Sequence, residues 1–309
     1  MDFLRLLESI RTPFWDAFFG TLTHLGSEVL FIAIIVFIYW CVSKRTAYYT
    51  MFVGFCGITL NQFMKITFRI PRPWVLDPNF HPVESAIADA GGYSFPSGHT
   101  QNIVGTVGVF ATSAKRLWVK IVCIVIAILV PFSRMYLGVH TPLDVGVAAA
   151  IAILFLAVFY PLMKKIDKSP NLLPWFFGAM CLLAFGFVLY MHLQSFPKNT
   201  DPDNLANAIK NAHLIFGAAV GIGAGIVLDL KRLHFSVKAP FWGQVLKTVL
   251  GFALLMLLRA VIKEPLYALF GGSEWATTVR YLLVGLFASC VWPLTFPFFS
   301  KIGKKKEAK

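Results

Sequence analysis

A helix needs about 20 mostly apolar residues to cross the hydrocarbon core of a bilayer, and runs of roughly that length fill most of this chain. Nine candidates stand at about 28–43, 46–66, 99–114, 117–133, 143–163, 172–193, 209–228, 242–262 and 277–299. No water reaches backbone N–H and C=O groups inside a bilayer, so such runs must close their hydrogen bonds internally, as helices do. Composition agrees. Of the 309 residues, 57% are hydrophobic and 14% charged, against about 45–50% and about 25% in soluble domains. A soluble fold is set aside. The expected class is all-α, a polytopic membrane helical bundle of about nine transmembrane helices.

Basic pairs fall at every second connection: Lys44-Arg45, Lys115-Arg116, Lys164-Lys165, Lys231-Arg232 and the tail Lys304-Lys305-Lys306. Retained cytoplasmic loops collect Lys and Arg, so all five are assigned to the cytoplasm. The N-terminus is then outside and the C-terminus cytoplasmic, with loops 67–98, 134–142 and 194–208 external. The net charge of +13 is read as topology, and no nucleic-acid partner is expected. Phe3, Leu4, Leu6, Leu7 and Ile10 recur at helical spacing before Pro13, which gives an N-terminal interfacial amphipathic helix and no signal peptide. Cys41, Cys56, Cys123, Cys181 and Cys290 lie in apolar runs without metal-ligand spacing. They are read as core residues, with no disulfide, metal or cofactor. Compact loops without an N-x-S/T acceptor point to a bacterial plasma membrane.

Four cations break the topological pattern. Lys65, Arg69, Arg72 and Arg134 sit on the external side, where Lys and Arg should be scarce, and a bound anion would explain them. They fall in the first and last of three stretches that hold nearly all the reactive side chains: Lys65–Pro73 ("KITFRIPRP"), Pro96–His99 ("PSGH") and Ser133–Asp144 ("SRMYLGVHTPLD"). In the second, Ser97 is a plausible N-cap and Gly98 lets a ligand approach the main chain. The helix mouth favours anions, and His99 beside it can exchange a proton near neutral pH. An ordinary helix start with an interfacial histidine is the alternative. In the third, Thr141, Pro142 and Asp144 have the spacing of a capped helix start. His140 falls within reach of the Asp144 carboxylate, which can cap the helix, orient the ring, or do both. Arg134 offers a planar fork for phosphate oxygens. Arg72 is held between two prolines, while Arg69 is read as snorkelling to headgroups. Loop 74–93, with Asp77, His81, Glu84 and Asp89, either shapes headgroup choice or merely connects.

These polar motifs confine chemistry to a first half, residues 1–168. Residues 169–309 hold four further spans. Their stretch 216–228 places Gly217, Gly221 and Gly225 at four-residue spacing, which suits close helix packing or, alternatively, a substrate groove.

Together the three stretches read K-x6-RP, PSGH and SR-x5-H-x3-D. This pattern resembles the signature of the lipid phosphate phosphatase superfamily, the type 2 phosphatidate phosphatases, whose soluble relatives include bacterial acid phosphatases and vanadium haloperoxidases. Every signature position is filled, over roughly residues 20–165. The resemblance implies a metal-independent phosphatase acting on a lipid phosphate or diphosphate at the external face through a phosphohistidine. It implies His140 as nucleophile, Asp144 orienting it, and His99 handling the leaving group's proton. Lys65, Arg72, Ser97, Gly98 and Arg134 would bind phosphate. The partners it implies are a lipid phosphate substrate and membrane lipids. A phosphotransferase using the same intermediate, or a lipid transporter or scramblase, is the competing reading. For residues 169–309 a lateral lipid entrance, a homodimer face and added selectivity stay open.

Overall fold

The structure is a computed structural model and describes residues 1–302. The basic tail Lys304-Lys305-Lys306 lies outside the described residues. Among the described residues every regular element is a helix. Six helices are long and apolar enough to cross a membrane, and Pro13–Gly26 with Glu28–Val42, bent by 49°, makes a seventh if counted as one span. The chain forms two compact units.

The first unit comprises residues 1–34, 49–164 and 195–208. It draws on α1 (Asp2–Ser9), α2 (Pro13–Thr23), α3 (Glu28–Phe37), α4 (Lys44–Phe68), the one-turn α5 (Pro73–Leu76), α6 (Gly98–Ser113), α7 (Leu117–Tyr136) and α8 (Pro142–Lys168). The amphipathic pattern of the first residues does form a helix: α1 buries Leu4 and Leu7 and exposes Phe3 and Leu6. Thr12 caps α2 by accepting the Trp15 N–H, and Pro13 occupies the first helical position, where its missing N–H costs nothing. Phe19 of α2 then packs at a tilt against Tyr136 of α7, ring centroids 4.6 Å apart. Ile103, Val104 and Val107 of α6 pack with Cys123 and Val130 of α7 and Ala152 of α8. The opposite face of α7 exposes Ile121, Ile124, Val125 and Ile128. A helix apolar on both faces requires an apolar surrounding, as a bilayer supplies.

Segments 46–66 and 99–114 are helical as α4 and α6. They carry more polar side chains than the other spans, because they build the site described below.

The second unit comprises residues 35–48, 165–194 and 209 onward. It contains α9 (Leu173–Leu193), most of α10 (Pro202–Leu228), α11 (Phe241–Val261), α12 (Lys263–Leu269), α13 (Trp275–Leu286) and α14 (Phe296–Phe299). Here the glycine stripe of α10 is a packing seam. A Cβ on Gly217 would collide with the Thr278 carbonyl oxygen, and one on Gly221 with that of Leu282. Small residues let two backbones close without lipid between them. The groove alternative is overturned at Gly217 and Gly221, which lie against the α13 backbone. Gly221→Leu is expected to lower the melting temperature in detergent by several degrees, because an inserted side chain must force the helices apart; an unchanged melting curve would contradict this packing.

Candidate active site

All three polar stretches belong to the first unit. The second begins α6 as expected: Ser97 is the N-cap, and its Oγ accepts from the Thr100 N–H at 3.4 Å. The Ser97 N–H donates to the Asp144 carbonyl at 3.1 Å, which ties this loop to the first turn of α8. That turn is a reciprocal capping box. The Thr141 N–H donates to Asp144 Oδ2 at 2.7 Å, and the Asp144 N–H donates to Thr141 Oγ1 at 3.3 Å.

Between α7 and α8 the chain reverses through a helix-terminating turn. Gly138 has φ 77°. Its N–H donates to the Met135 carbonyl, and the Val139 and His140 N–H groups both donate to the Arg134 carbonyl. Glycine is favoured in this left-handed position because it has no Cβ. Space enforces it as well, since a Cβ there would lie 2.7 Å from Arg11 Nη2 and 2.8 Å from the Phe80 ring. The turn folds His140 back beneath Arg134.

His140 is 2% exposed and Asp144 1%. His140 Nδ1 lies 3.4 Å from Asp144 Oδ2, and its Nε2 lies 3.0 Å from Arg72 Nη1. Arg72 Nη1 also lies 3.5 Å from Nδ1, but a guanidinium can only donate and its nearer contact is Nε2, which assigns the lone pair to Nε2 and the proton to Nδ1, on the side of the carboxylate. Burial pushes the imidazole pKa well below its usual value, and the nearby charges of Arg72, Arg134 and Lys65 push it the same way. Both effects favour the neutral ring, whose Nε2 faces the Arg72 guanidinium.

The cations reach this point from three directions. Arg72, whose pKa burial lowers to about 10, donates to the carbonyls of Gly91, Gly92 and Val139 at 2.7, 3.0 and 2.9 Å. Lys65 Nζ donates to the carbonyl of Tyr93 at 2.6 Å. Arg134 is fully buried and donates through Nη1 to Thr23 Oγ1 at 2.8 Å. Its Nε and Nη2 are buried with no partner, as is His99 Nε2. Three cations thus act on the buried His140 ring and its Asp144 partner, in a recess where unpaired charge is costly. Among the described residues no His, Cys, Asp or Glu cluster could hold a metal ion.

Three contributors went unnoticed in the sequence. Ser94 Oγ donates to Asp144 Oδ2 at 2.6 Å, Thr23 holds Arg134, and Gly26 lies so close to His99 that a Cβ would sit 2.8 Å from its carbonyl oxygen. Ser94 is a small polar residue three positions before Ser97, which is a usable local signal. Thr23 and Gly26 have none. Arg69 turns away and donates to the Ile66 carbonyl. In loop 74–93, Asp77 accepts from Arg5, and the His81 N–H donates to Glu8 Oε1 at 3.0 Å. That stretch is tied to α1, and residues 91–94 are what reach the site.

Two family models match, the PAP2 superfamily over residues 45–168 and the PAP2 superfamily phosphatase transmembrane extension over residues 213–305. The chain is a PAP2 superfamily member. Its PAP2 domain runs from α4 through α8 and contains all eight of the expected site residues, whereas Thr23 and Gly26 precede it. The extension contains the glycine seam of α10. Among curated proteins, a probable sphingosine-1-phosphate phosphatase of Dictyostelium discoideum is 30% identical, over 70% of this chain and 54% of its own length. The undecaprenyl-diphosphatase BcrC of Bacillus subtilis is 28% identical, over 38% of this chain and 58% of its own. The chain therefore spans a little over half the length of these relatives. The crystal structure of Aquifex aeolicus LpxE aligns at 27% identity with a TM-score of 0.44, covering 51% of this chain and 92% of that one.

Proposed function

We propose that this PAP2 protein is a phosphatase that releases phosphate from a lipid phosphate or diphosphate through a phosphohistidine, without a metal. One observation carries the reading. A neutral histidine, with its lone pair on Nε2, stands in a buried recess of three cations and one carboxylate, where Arg134 presents two unpaired donors. The substrate phosphoryl group supplies the negative charge these donors are arranged to bind. Its oxygens bind Arg134, Lys65 and Arg72, the Ser97 hydroxyl, and the Gly98 N–H at the start of α6, where the helix end favours negative charge.

His140 Nε2 attacks phosphorus and the bond to the lipid oxygen breaks. His99 gives that oxygen its proton, so the lipid alcohol leaves neutral. Asp144 stabilises the positive charge that develops on the His140 ring, and Ser94 and Thr141 hold Asp144 in place. Water then attacks phosphorus, His99 takes its proton, and the N–P bond breaks to restore His140. Positioning and charge stabilisation do most of the work in phosphoryl transfer.

In this reading residues 1–168 are the catalytic core and residues 169–309 an added set of spans, nine spans in all. The N-terminus and the site face outward, the C-terminus faces the cytoplasm, and α1 lies in the interface. The membrane is a bacterial plasma membrane. The names of the relatives cover both mono- and diphosphate lipids, and the proposed substrate is of that class. Purified protein is expected to release inorganic phosphate from lipid phosphates in detergent with excess chelator, and vanadate is expected to inhibit as a mimic of five-coordinate phosphorus. Folded protein inert on every lipid phosphate tried would refute the reading.

A further inference from the structure

Two polar side chains on the inner side of the recess have no role in the steps above. Asn61 lies on α4 one turn deeper than Lys65, and Gln101 lies on α6 three residues beyond Gly98. Each is 2% exposed. Asn61 Nδ2 and Oδ1 and Gln101 Nε2 and Oε1 are all buried without a hydrogen bond. Both residues border the same place. A Cβ on Gly98 would lie 4.0 Å from Asn61 Oδ1, and a Cβ on Gly57 would collide with Gln101 Nε2. Asn61 therefore sits beside the glycine of PSGH, and Gly57, one turn further along α4, makes room for Gln101. A leucine or methionine would fill either position without burying unbonded polar atoms, which are costly in a membrane span.

We propose that Asn61 and Gln101 form a neutral polar subsite for a hydroxyl or amine carried on the lipid within a few bonds of its phosphoester. The inference rests on the phosphatase reading and narrows its substrate class. A helix rises about 1.5 Å per residue, so the amides stand about 5 Å deeper than Gly98 and Lys65. A lipid chain running inward from the phosphoryl group reaches that depth within its first few carbons. Each amide both donates and accepts, as a hydroxyl or an amine does. A saturated or isoprenoid chain at that depth would leave all four atoms unbonded, and sites built for a polar group reject analogues that lack it. The amides carry no charge, so they add selectivity without competing with Lys65, Arg72 and Arg134 for the phosphoryl oxygens.

The test compares kcat/KM for a sphingoid-base phosphate, a lysophosphatidate and a saturated alkyl phosphate of matched chain length. Wild-type protein is expected to favour at least one polar-backbone lipid over the alkyl phosphate by about tenfold or more, and the favoured lipid shows whether amine or hydroxyl is read. Asn61→Leu and Gln101→Met are each expected to reduce that ratio by up to about tenfold, the loss falling on the polar lipid. Neither should lower the melting temperature in lipid-free detergent, which a structural amide would do. A wild-type ratio near one overturns the subsite whether or not the variants fold, and so does a ratio unchanged in both folded variants. Inertness of wild type on all three lipids would instead refute the phosphatase reading, and the subsite with it.

Discussion

His140→Ala is expected to cut turnover by about 10⁴-fold or more, since removing a nucleophile leaves only the contributions of binding and charge stabilisation. The effect is this large because the other imidazole of the recess, His99, is assigned to the leaving group's proton in the proposed mechanism, and the remaining neighbours offer no nucleophile. Asp144 is occupied by Ser94 and by the Thr141 N–H, and the flanking cations hold no lone pair. Rapid acid or alkaline quenching with radiolabelled substrate should trap phosphate on wild-type protein and none on the variant. Full activity in His140→Ala would end the proposed mechanism. The pH profile follows from the same ring. Burial, with Arg72, Arg134 and Lys65 nearby, depresses its pKa, and the neutral form is the nucleophile. As pH falls through the ordinary histidine value of about 6.5, the ring stays neutral and competent. The acid limb of kcat/KM, which reports the free enzyme, should therefore lie below that value. An acid limb fixed near 6.5 across substrates with different second ionisations would contradict the assignment.

Arg134→Lys is expected to cost about 10²–10³-fold in kcat, although it keeps the charge. The guanidinium gives one arm to Thr23 and keeps Nε and Nη2 for the recess. A lysine has neither the fork nor the reach to do both. Ligand-linked stability separates this role from a structural one. An anion present at a hundred times its Kd stabilises the folded state by about 2.7 kcal/mol, so vanadate should raise the melting temperature of wild-type protein. In Arg134→Lys that rise should largely vanish, while the melting temperature without vanadate stays close to wild type. An undiminished rise would show that Arg134 does not hold the anion.

What the sequence revealed was what is local or periodic. Ser97 as a cap, the Thr141–Asp144 box and the glycine seam of α10 each depend on residues within a turn or two, and all three stand as read. The apolar span expected at about 209–228 is the inner part of a longer helix that begins at Pro202, because the polar run Pro202 through Lys210 is helical as well. The bend that joins Pro13–Gly26 to Glu28–Val42 was missed. Pro13 does follow a break, since α1 ends at Ser9, and it also opens α2. At the site, the signature stretches identified the charged groups and the two histidines but not what holds them. Thr23 is 111 residues from Arg134, and Ser94 is 50 from Asp144. Separations of that kind leave no trace in spacing and emerge only when α2, α6, α7 and α8 pack.

Arg72 holds the carbonyls of Gly91, Gly92 and Val139, and Lys65 holds those of Tyr93 and Ser94. The receptacle is thus braced before any lipid arrives, and little chain entropy remains to be lost on association. Adjustment falls to the guest instead. In the proposed reaction an incoming headgroup would have to bend to a rigid mould, so preferences among lipids would follow from how readily each can adopt the required pose at the bilayer surface.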